Sequence, residues 1–488
     1  MRFAVEVEAD SLQKIYALNA LMIDVTRTSL AEVGPGSFRI SALVSGEQIN
    51  LLHQNGYLVN SVVDLEPLYR RQREMLSSRT TFDDRDALDR ANPVVDEGYF
   101  SVEQIDAYIQ TKAREYPELV TAIELPNWTE GKEKKRRCYA ARLCQGSSTN
   151  KAGLLFLGGV HAREWLTADV CVNLLFFLAT WSRRSDDLVL GGKRFTNAWM
   201  KAIVQRLDIV IFPLVNPDGR AYSFSVGDAD TGPAGWRKNR RYVGNVDNQE
   251  VYGVDINRNY DFLFQYKGSP ADDFNISEQR KAENYKGPNP FSESETKNVK
   301  SLLDRFPNIR FFVDVHSKGG GGQILYSWGD SANQSTDKNM NFFTKTFGNK
   351  NYEEMRKHKN SGYAEYIAKP DEDFVKQLAG NMSAAVRQVR QNYFEPKQSV
   401  GLYATAAASD DYCYSRQFRT DGRYSKIFSF TLETGGMNNS WGGNFAPHTR
   451  DELAASVRDG VAALLELCCA AVNNTGPVRS SEDVVPES

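Results

Sequence analysis

The stretch Leu154-Leu155-Phe156-Leu157-Gly158-Gly159-Val160-His161-Ala162-Arg163-Glu164-Trp165 decides how the rest of the chain is read. Its first four residues are apolar and read as a buried strand. Thr167 to Trp181, just beyond it, reads as a mostly apolar helix. His161 and Glu164 therefore sit at a strand-to-helix turn. Their spacing lets an imidazole nitrogen and a carboxylate oxygen converge on one ion. Completed by a distant second histidine, such a pair is a catalytic metal-ligand set with a fourth position left for water. His-x-x-Glu also arises often by chance, so the pair needs support from elsewhere in the chain.

That support comes from three more apolar runs. Leu207 to Val215 leads into the turn residues Asn216-Pro217-Asp218-Gly219. Ile309 to Val315 leads into His316, and Ile427 to Leu432 into Glu433. In open α/β sheets, ligands bind outside the carboxyl ends of the strands. Three of these four ends carry a metal-ligand type or a carboxylate, which favours a common metal centre. Of the five histidines, His53 lies near the N-terminus, His358 in the polar Lys357-His358-Lys359, and His448 beside Pro447. His161 and His316 alone end buried-looking strands.

Composition bounds the rest. A chain of 488 residues is too long for one ordinary core and predicts two domains. With 25% charged and 41% hydrophobic residues it reads as globular. A net charge of −3 gives no electrostatic case for nucleic acid or an anionic membrane. No apolar run is long enough to span a bilayer. Met1 to Glu8 alternates like a strand and lacks the apolar core of a secretory signal, which taken alone points to the cytoplasm. Cys138, Cys144, Cys171, Cys413, Cys468 and Cys469 show no C-x-x-C spacing and leave the redox compartment open.

Residues 1–68 read as a small α+β unit in the order βαββαβ, which is ferredoxin-like. Residues 69–97 are rich in Arg, Asp and Ser, include Arg70-Arg71, and read as an exposed linker. Residues 98–472 alternate strands and helices, the α/β pattern, opening with Ser101 as N-cap and Gln104 at the capping-box position. Residues 473–488 read as a polar tail.

Several motifs then appear in order: His161-Ala162-Arg163-Glu164-Trp165, Asn216-Pro217-Asp218-Gly219, Trp236-Arg237-Lys238-Asn239-Arg240, Asp255-Ile256-Asn257-Arg258-Asn259, His316-Ser317, Tyr403 and Thr431-Leu432-Glu433. Together they resemble the zinc metallocarboxypeptidases of the pancreatic carboxypeptidase A/B type, from about Gly98 to Val472. The N-terminal unit resembles, more weakly, the propeptide that precedes such domains in secreted zymogens; the resemblance suggests secretion where the opening residues suggest the cytoplasm, and both locations stay open.

The resemblance implies a mostly parallel mixed sheet flanked by helices, one Zn²⁺ held by His161, Glu164 and His316, and hydrolysis of the C-terminal bond of peptides. Glu433 is then the general base, and Arg237 stabilises the oxyanion. Asn257 and Arg258 grip the terminal carboxylate, Tyr403 closes over the bound residue, and Arg163 contacts the substrate further from the cut. The N-terminal domain is expected to dock on the catalytic one. Asp410, seven residues after Tyr403, falls where the family lines its specificity pocket and resembles the B-type enzymes, which remove Lys and Arg. Taken singly these residues also have structural readings: a solvated basic run for Trp236 to Arg241, a turn cap for Asn257 or Asp410, core for Tyr403.

Two departures stand out. Lys318 follows His316-Ser317 where the family has a Tyr, and four glycines come next. The span from His316 to Tyr403 is also long, and 331–395 reads as a rim insertion. Two other functions remain open: a non-catalytic binding protein on the same fold, or a zinc deacylase of N-acyl amino acids.

Overall fold

Four central strands of one sheet carry the site to its rim. The computed structural model describes residues 2–76, 98–225, 233–265, 275–355, 361–419, 424–437 and 445–474, and the N-terminal part comes first in the chain. It runs β1 (Arg2–Ala9), α1 (Leu12–Ala17), β2 (Asp24–Gly34), β3 (Ser37–Ser45), α2 (Gly46–Gln54) and β4 (Leu58–Asp64). These strands form an antiparallel sheet in the order β2-β3-β1-β4. Val5, Val7, Ile15, Ile40 and Leu52 make its core.

The linker reading needs correction at its start. Glu66–Glu74 forms a helix, α3, with Tyr69 and Gln72 buried. Pro67 in its first turn preorganises the helix start. The stretch is so polar that its short buried face is hard to see: Gln72 is buried because its amide donates to Ala446 O at 2.7 Å. Residues 77–97 of the expected linker lie outside the described residues.

The larger part is built on eight strands: β5 (Val120–Glu124), β6 (Tyr139–Leu143), β7 (Ala152–Leu157), β8 (Leu207–Phe212), β9 (Ile309–Lys318), β10 (Gly322–Tyr326), β11 (Phe394–Gln398) and β12 (Phe428–Gly435). Their order across the sheet is β11-β10-β12-β9-β7-β8-β6-β5. The central run β12-β9-β7-β8 is parallel, and β7 and β8 are buried along their whole length, as strands covered on both faces must be. Leu166–Trp181 and Arg450–Asn473 pack apolar residues into one large cluster on one face of the sheet. A second cluster, including Leu155, Phe212, Phe312 and Trp328, fills the other. The helix Val102–Glu115 opens with the expected capping box of Ser101 and Gln104.

Two further expectations change. His316 and Glu433 lie inside strands rather than just past them, because β9 and β12 keep pairing to Lys318 and Gly435. The stretch 331–395 is not all rim. Its second half is the 22-residue helix Lys369–Arg390, whose Val375, Leu378, Met382 and Val386 join the main cluster. Arg390 pairs with Glu452 and Asp459 on the C-terminal helix. The charged residues between these positions mask its apolar stripe.

Candidate functional site

Two glycines make the turn that delivers His161. Gly159 adopts φ +62°, and a Cβ on Gly158 would fall 2.7 Å from Thr167 O and 2.9 Å from Pro213 O. Thr167 Oγ1 accepts from Gly159 N and donates to Glu164 O, each at 2.9 Å. Asn216 fastens the neighbouring strand end, donating to Val160 O and Lys238 O while its Oδ1 caps Gly219 N. Ala162 N donates to Arg237 O at 2.9 Å, which ties Arg237 to the same turn.

Three donor groups meet at the centre. Glu164 Oε1 lies 2.8 Å from His161 Nδ1, and Oε2 lies 3.0 Å from His316 Nδ1. The two Nδ1 atoms are 3.0 Å apart. His161, Glu164 and His316 are buried, and their donor atoms all lie within 4.8 Å of one another. Each imidazole is held from behind through Nε2, His161 by Asp255 Oδ1 and His316 by Asp314 Oδ2, both at 3.1 Å. That leaves Nδ1 of each ring facing the centre, the orientation a carboxylate-backed metal ligand needs. Burial would disfavour protonation of His316, yet the Asp314 and Glu164 carboxylates raise its pKa well above the usual range. The centre therefore attracts positive charge. Two imidazoles and one carboxylate in a buried pocket fit Zn²⁺ with one position left open.

Burial would raise the pKa of Asp255, but the Arg237 guanidinium and His161 outweigh it and hold the carboxyl well below its usual range. Arg237 donates through Nε to Asp255 Oδ2 at 3.0 Å, and its Nη1 stands 3.9 Å from Glu164 Oε1. Burial works against its charge, and Asp255 keeps it protonated. Glu433 lines the same pocket, half-buried, and burial pushes its carboxyl up.

Asn257, Arg258, Tyr403 and Asp410 line the pocket too. Arg258 donates to Asn275 O and Asn257 O, both at 2.5 Å, while its buried Nη2 has no acceptor among the described residues. Asn257 Oδ1 accepts from Ser409 N at 2.8 Å. Asp410 is 3% exposed and accepts from Ser399 Oγ at 3.1 Å. Burial, with the Asp314 charge added, raises its pKa against the hydrogen bonds it accepts. No cation lies within ion-pair distance of it among the described residues.

All ten residues singled out from the sequence thus come together in one pocket. Arg163 is there as well, but its guanidinium pairs with Asp24 of β2 and stacks 3.9 Å from the Phe445 ring centroid. Asn19 and Met22 to Thr26 of the N-terminal part line the pocket mouth. Sequence reading gave no role to Asp24, Asp255 or Asp314. Asp255 heads a quoted motif, and Asp314 stands two residues before His316 on the same strand face, which is the available signal.

Comparison with known proteins agrees with this geometry. The chain belongs to the zinc carboxypeptidase family, whose profile it matches over residues 105–459. It is 28% identical to a carboxypeptidase B of Helicoverpa zea over 243 residues, 49% of this chain and 48% of that protein. It is 27% identical to carboxypeptidase A4 of Mus musculus over 240 residues, 49% of each. The match thus spans about half the length of these curated relatives. Among solved structures, a carboxypeptidase A from Helicoverpa armigera superposes with a TM-score of 0.67 at 20% identity, covering 97% of this chain and 98% of that one. Thrombin activatable fibrinolysis inhibitor gives 0.64 at 19%, covering 97% and 99%. The fold is the metallocarboxypeptidase fold, a mixed sheet flanked by helices and preceded by a small antiparallel unit. Among the described residues no helix is long and apolar enough to cross a membrane.

Proposed function

We propose that this protein is a zinc-dependent carboxypeptidase that removes the C-terminal residue of peptides, preferring Lys or Arg. The observation that carries the reading is the pairing of the ligand trio with the free Arg258 Nη2 in one pocket: a metal centre beside a cationic seat for a terminal carboxylate. Zinc bound to His161, Glu164 and His316 would supply Lewis-acid chemistry and an acidified water. Arg258, seconded by Asn257, receives the substrate carboxylate and so selects chain ends. Glu433 takes a proton from water and returns it to the leaving amine. Arg237, kept charged by Asp255, which engages its Nη2, offers Nη1 to the oxygen that gains negative charge. Tyr403 covers the bound residue, and Arg163 contacts the chain upstream.

Asp410 supports the basic preference, because a buried carboxylate with no cation beside it among the described residues is costly until one arrives. The N-terminal unit, residues 1–68 extended by α3, reads as a ferredoxin-like propeptide-type domain, supported by its strand order and by Asp24 at the pocket mouth. It precedes a catalytic domain of 98–472. Mass spectrometry of peptides incubated with the protein tests the reading: loss of single residues from the C-terminus supports it. Hydrolysis of N-acyl amino acids with peptides left intact would favour the deacylase reading instead.

A further inference from the structure

Ser409 reaches both side chains that stand behind His316, and its role rests on the zinc centre described above. It is fully buried and opens the helix Ser409–Ser415, one residue before Asp410. Its hydroxyl is not spent on capping that helix, whose N-cap is Ala408 with no side-chain bond. Instead Ser409 Oγ donates to Asp314 Oδ2 at 2.6 Å, the same oxygen that backs His316 Nε2 at 3.1 Å. Its backbone N–H donates to Asn257 Oδ1 at 2.8 Å, and Asn257 Nδ2 lies 3.3 Å from that Nε2. The turn before Ser409 is itself pinned: Ala407 N donates to Phe262 O at 2.8 Å, and Ala407 O accepts from Tyr260 N at 3.1 Å.

The two candidate histidine ligands are supported unequally. Behind His161, Asp255 is held by the Arg237 guanidinium and by Asn257 N at 3.0 Å. Asp314 is fully buried and pairs with no Lys or Arg among the described residues, and its Oδ1 has no hydrogen-bond partner there. Where Asp255 has a cation and an amide, Asp314 has one hydroxyl. Without that hydroxyl the carboxylate can turn about its side-chain torsions, and the imidazole it backs loses a fixed orientation.

We propose that Ser409 is a positioning residue for the metal centre: its hydroxyl fixes Asp314, and Asp314 fixes the His316 ring with Nδ1 facing the ion.

The test is the zinc affinity of the full chain, measured by competition with a chromophoric chelator. Ser409→Ala should weaken zinc binding by about 10- to 100-fold, the scale of a lost outer partner of a metal ligand. Ser409→Thr keeps a hydroxyl and should recover most of that loss. Asp314→Ala should weaken binding as well, and adding Ser409→Ala to it should change affinity by no more than about twofold, because the hydroxyl acts through that carboxylate. This cycle stands whatever the packing of the Thr methyl. Wild-type affinity in Ser409→Ala overturns the inference, and so does a loss of the same size in the Asp314→Ala background, which would mean a general structural role. A wild-type chain that binds no zinc would remove the metal centre itself and this inference with it.

Discussion

His316 and Glu433 stand opposite each other as register partners on two adjacent parallel strands, β9 and β12. A metal-ligand candidate and the candidate base are thus spaced by a backbone ladder rather than by loops. The proposed chemistry therefore does not depend on loop closure to bring these two groups together.

This relationship sets the first expected outcome. Glu433→Gln keeps the side-chain shape and does not touch the donor trio, so the variant should bind one zinc as the wild type does. Its kcat should fall by at least about 10²-fold, the scale of a lost general base. A near-normal rate with zinc present would mean that another group activates the water.

The N-terminal unit should inhibit the enzyme. Asp24 engages Arg163 and its neighbours line the pocket mouth. Arg70 and Arg71 sit on helix α3, so trypsin should cut first at Arg79, Arg85 or Arg90 in the stretch between the units. N-terminal sequencing of the product locates the cut, and activity should rise as the full chain disappears. An intact chain already as active as the product would make the unit a folding aid.

Asp410 should set the preference for the last side chain. An apolar residue in the pocket would leave its carboxylate desolvated and unpaired, costing about 2–5 kcal/mol. That corresponds to roughly 30- to 5,000-fold in kcat/KM. Asp410→Ile should swing the enzyme toward Phe and Leu, and Asp411→Asn should disturb it less, because Asp411 accepts from Gly329 N inside the core. Equal cleavage of hippuryl-Phe and hippuryl-Arg by the wild type would remove Asp410 from this role.

How far the sequence carried the account follows from the kind of contact involved. The strands that lead to His161 and carry His316 begin as short apolar runs, and such runs are readable without neighbours. Ser101 and Gln104 were readable as a cap because both partners lie within one helical turn. That Asp255 and Asp314 hold the Nε2 atoms depends on three-dimensional neighbourhood, and their places at the head of a motif and two residues before His316 are the only local signal. Lys369–Arg390 was read as rim because lysines, arginines and acids interrupt its buried stripe. Gln72 shows the limit most directly: a polar side chain in a polar stretch is buried through acceptors 374 and 375 residues away.

A buried acid away from the site gives a pH prediction. Burial, with the neighbouring Glu293 charge added, pushes the Glu295 carboxyl up to about 8. Asn239 Nδ2 reaches it only at 3.3 Å and favours Glu293 at 2.7 Å. A raised carboxyl pKa stabilises the fold below the unfolded value of 4.5, and that stability is lost as pH rises through about 8. The loss is on the order of a few kcal/mol. Glu295→Gln cannot ionise, so its Tm should match the wild type near the unfolded pKa, exceed it by a margin that grows as pH rises toward about 8, and keep that margin above it. Parallel Tm profiles for the two proteins would show that Glu295 does not ionise in this range.

The central claim is that one zinc, held by His161, Glu164 and His316, is required for removal of C-terminal residues. Its most direct test is a titration of zinc into chelator-treated, trypsin-processed protein, with metal content and peptide hydrolysis measured on the same samples. Activity should be absent without metal and rise linearly to a plateau at one zinc per chain, and His316→Ala should show neither the binding nor the activity. Full hydrolysis by metal-free protein, or a plateau reached by His316→Ala, would contradict the account.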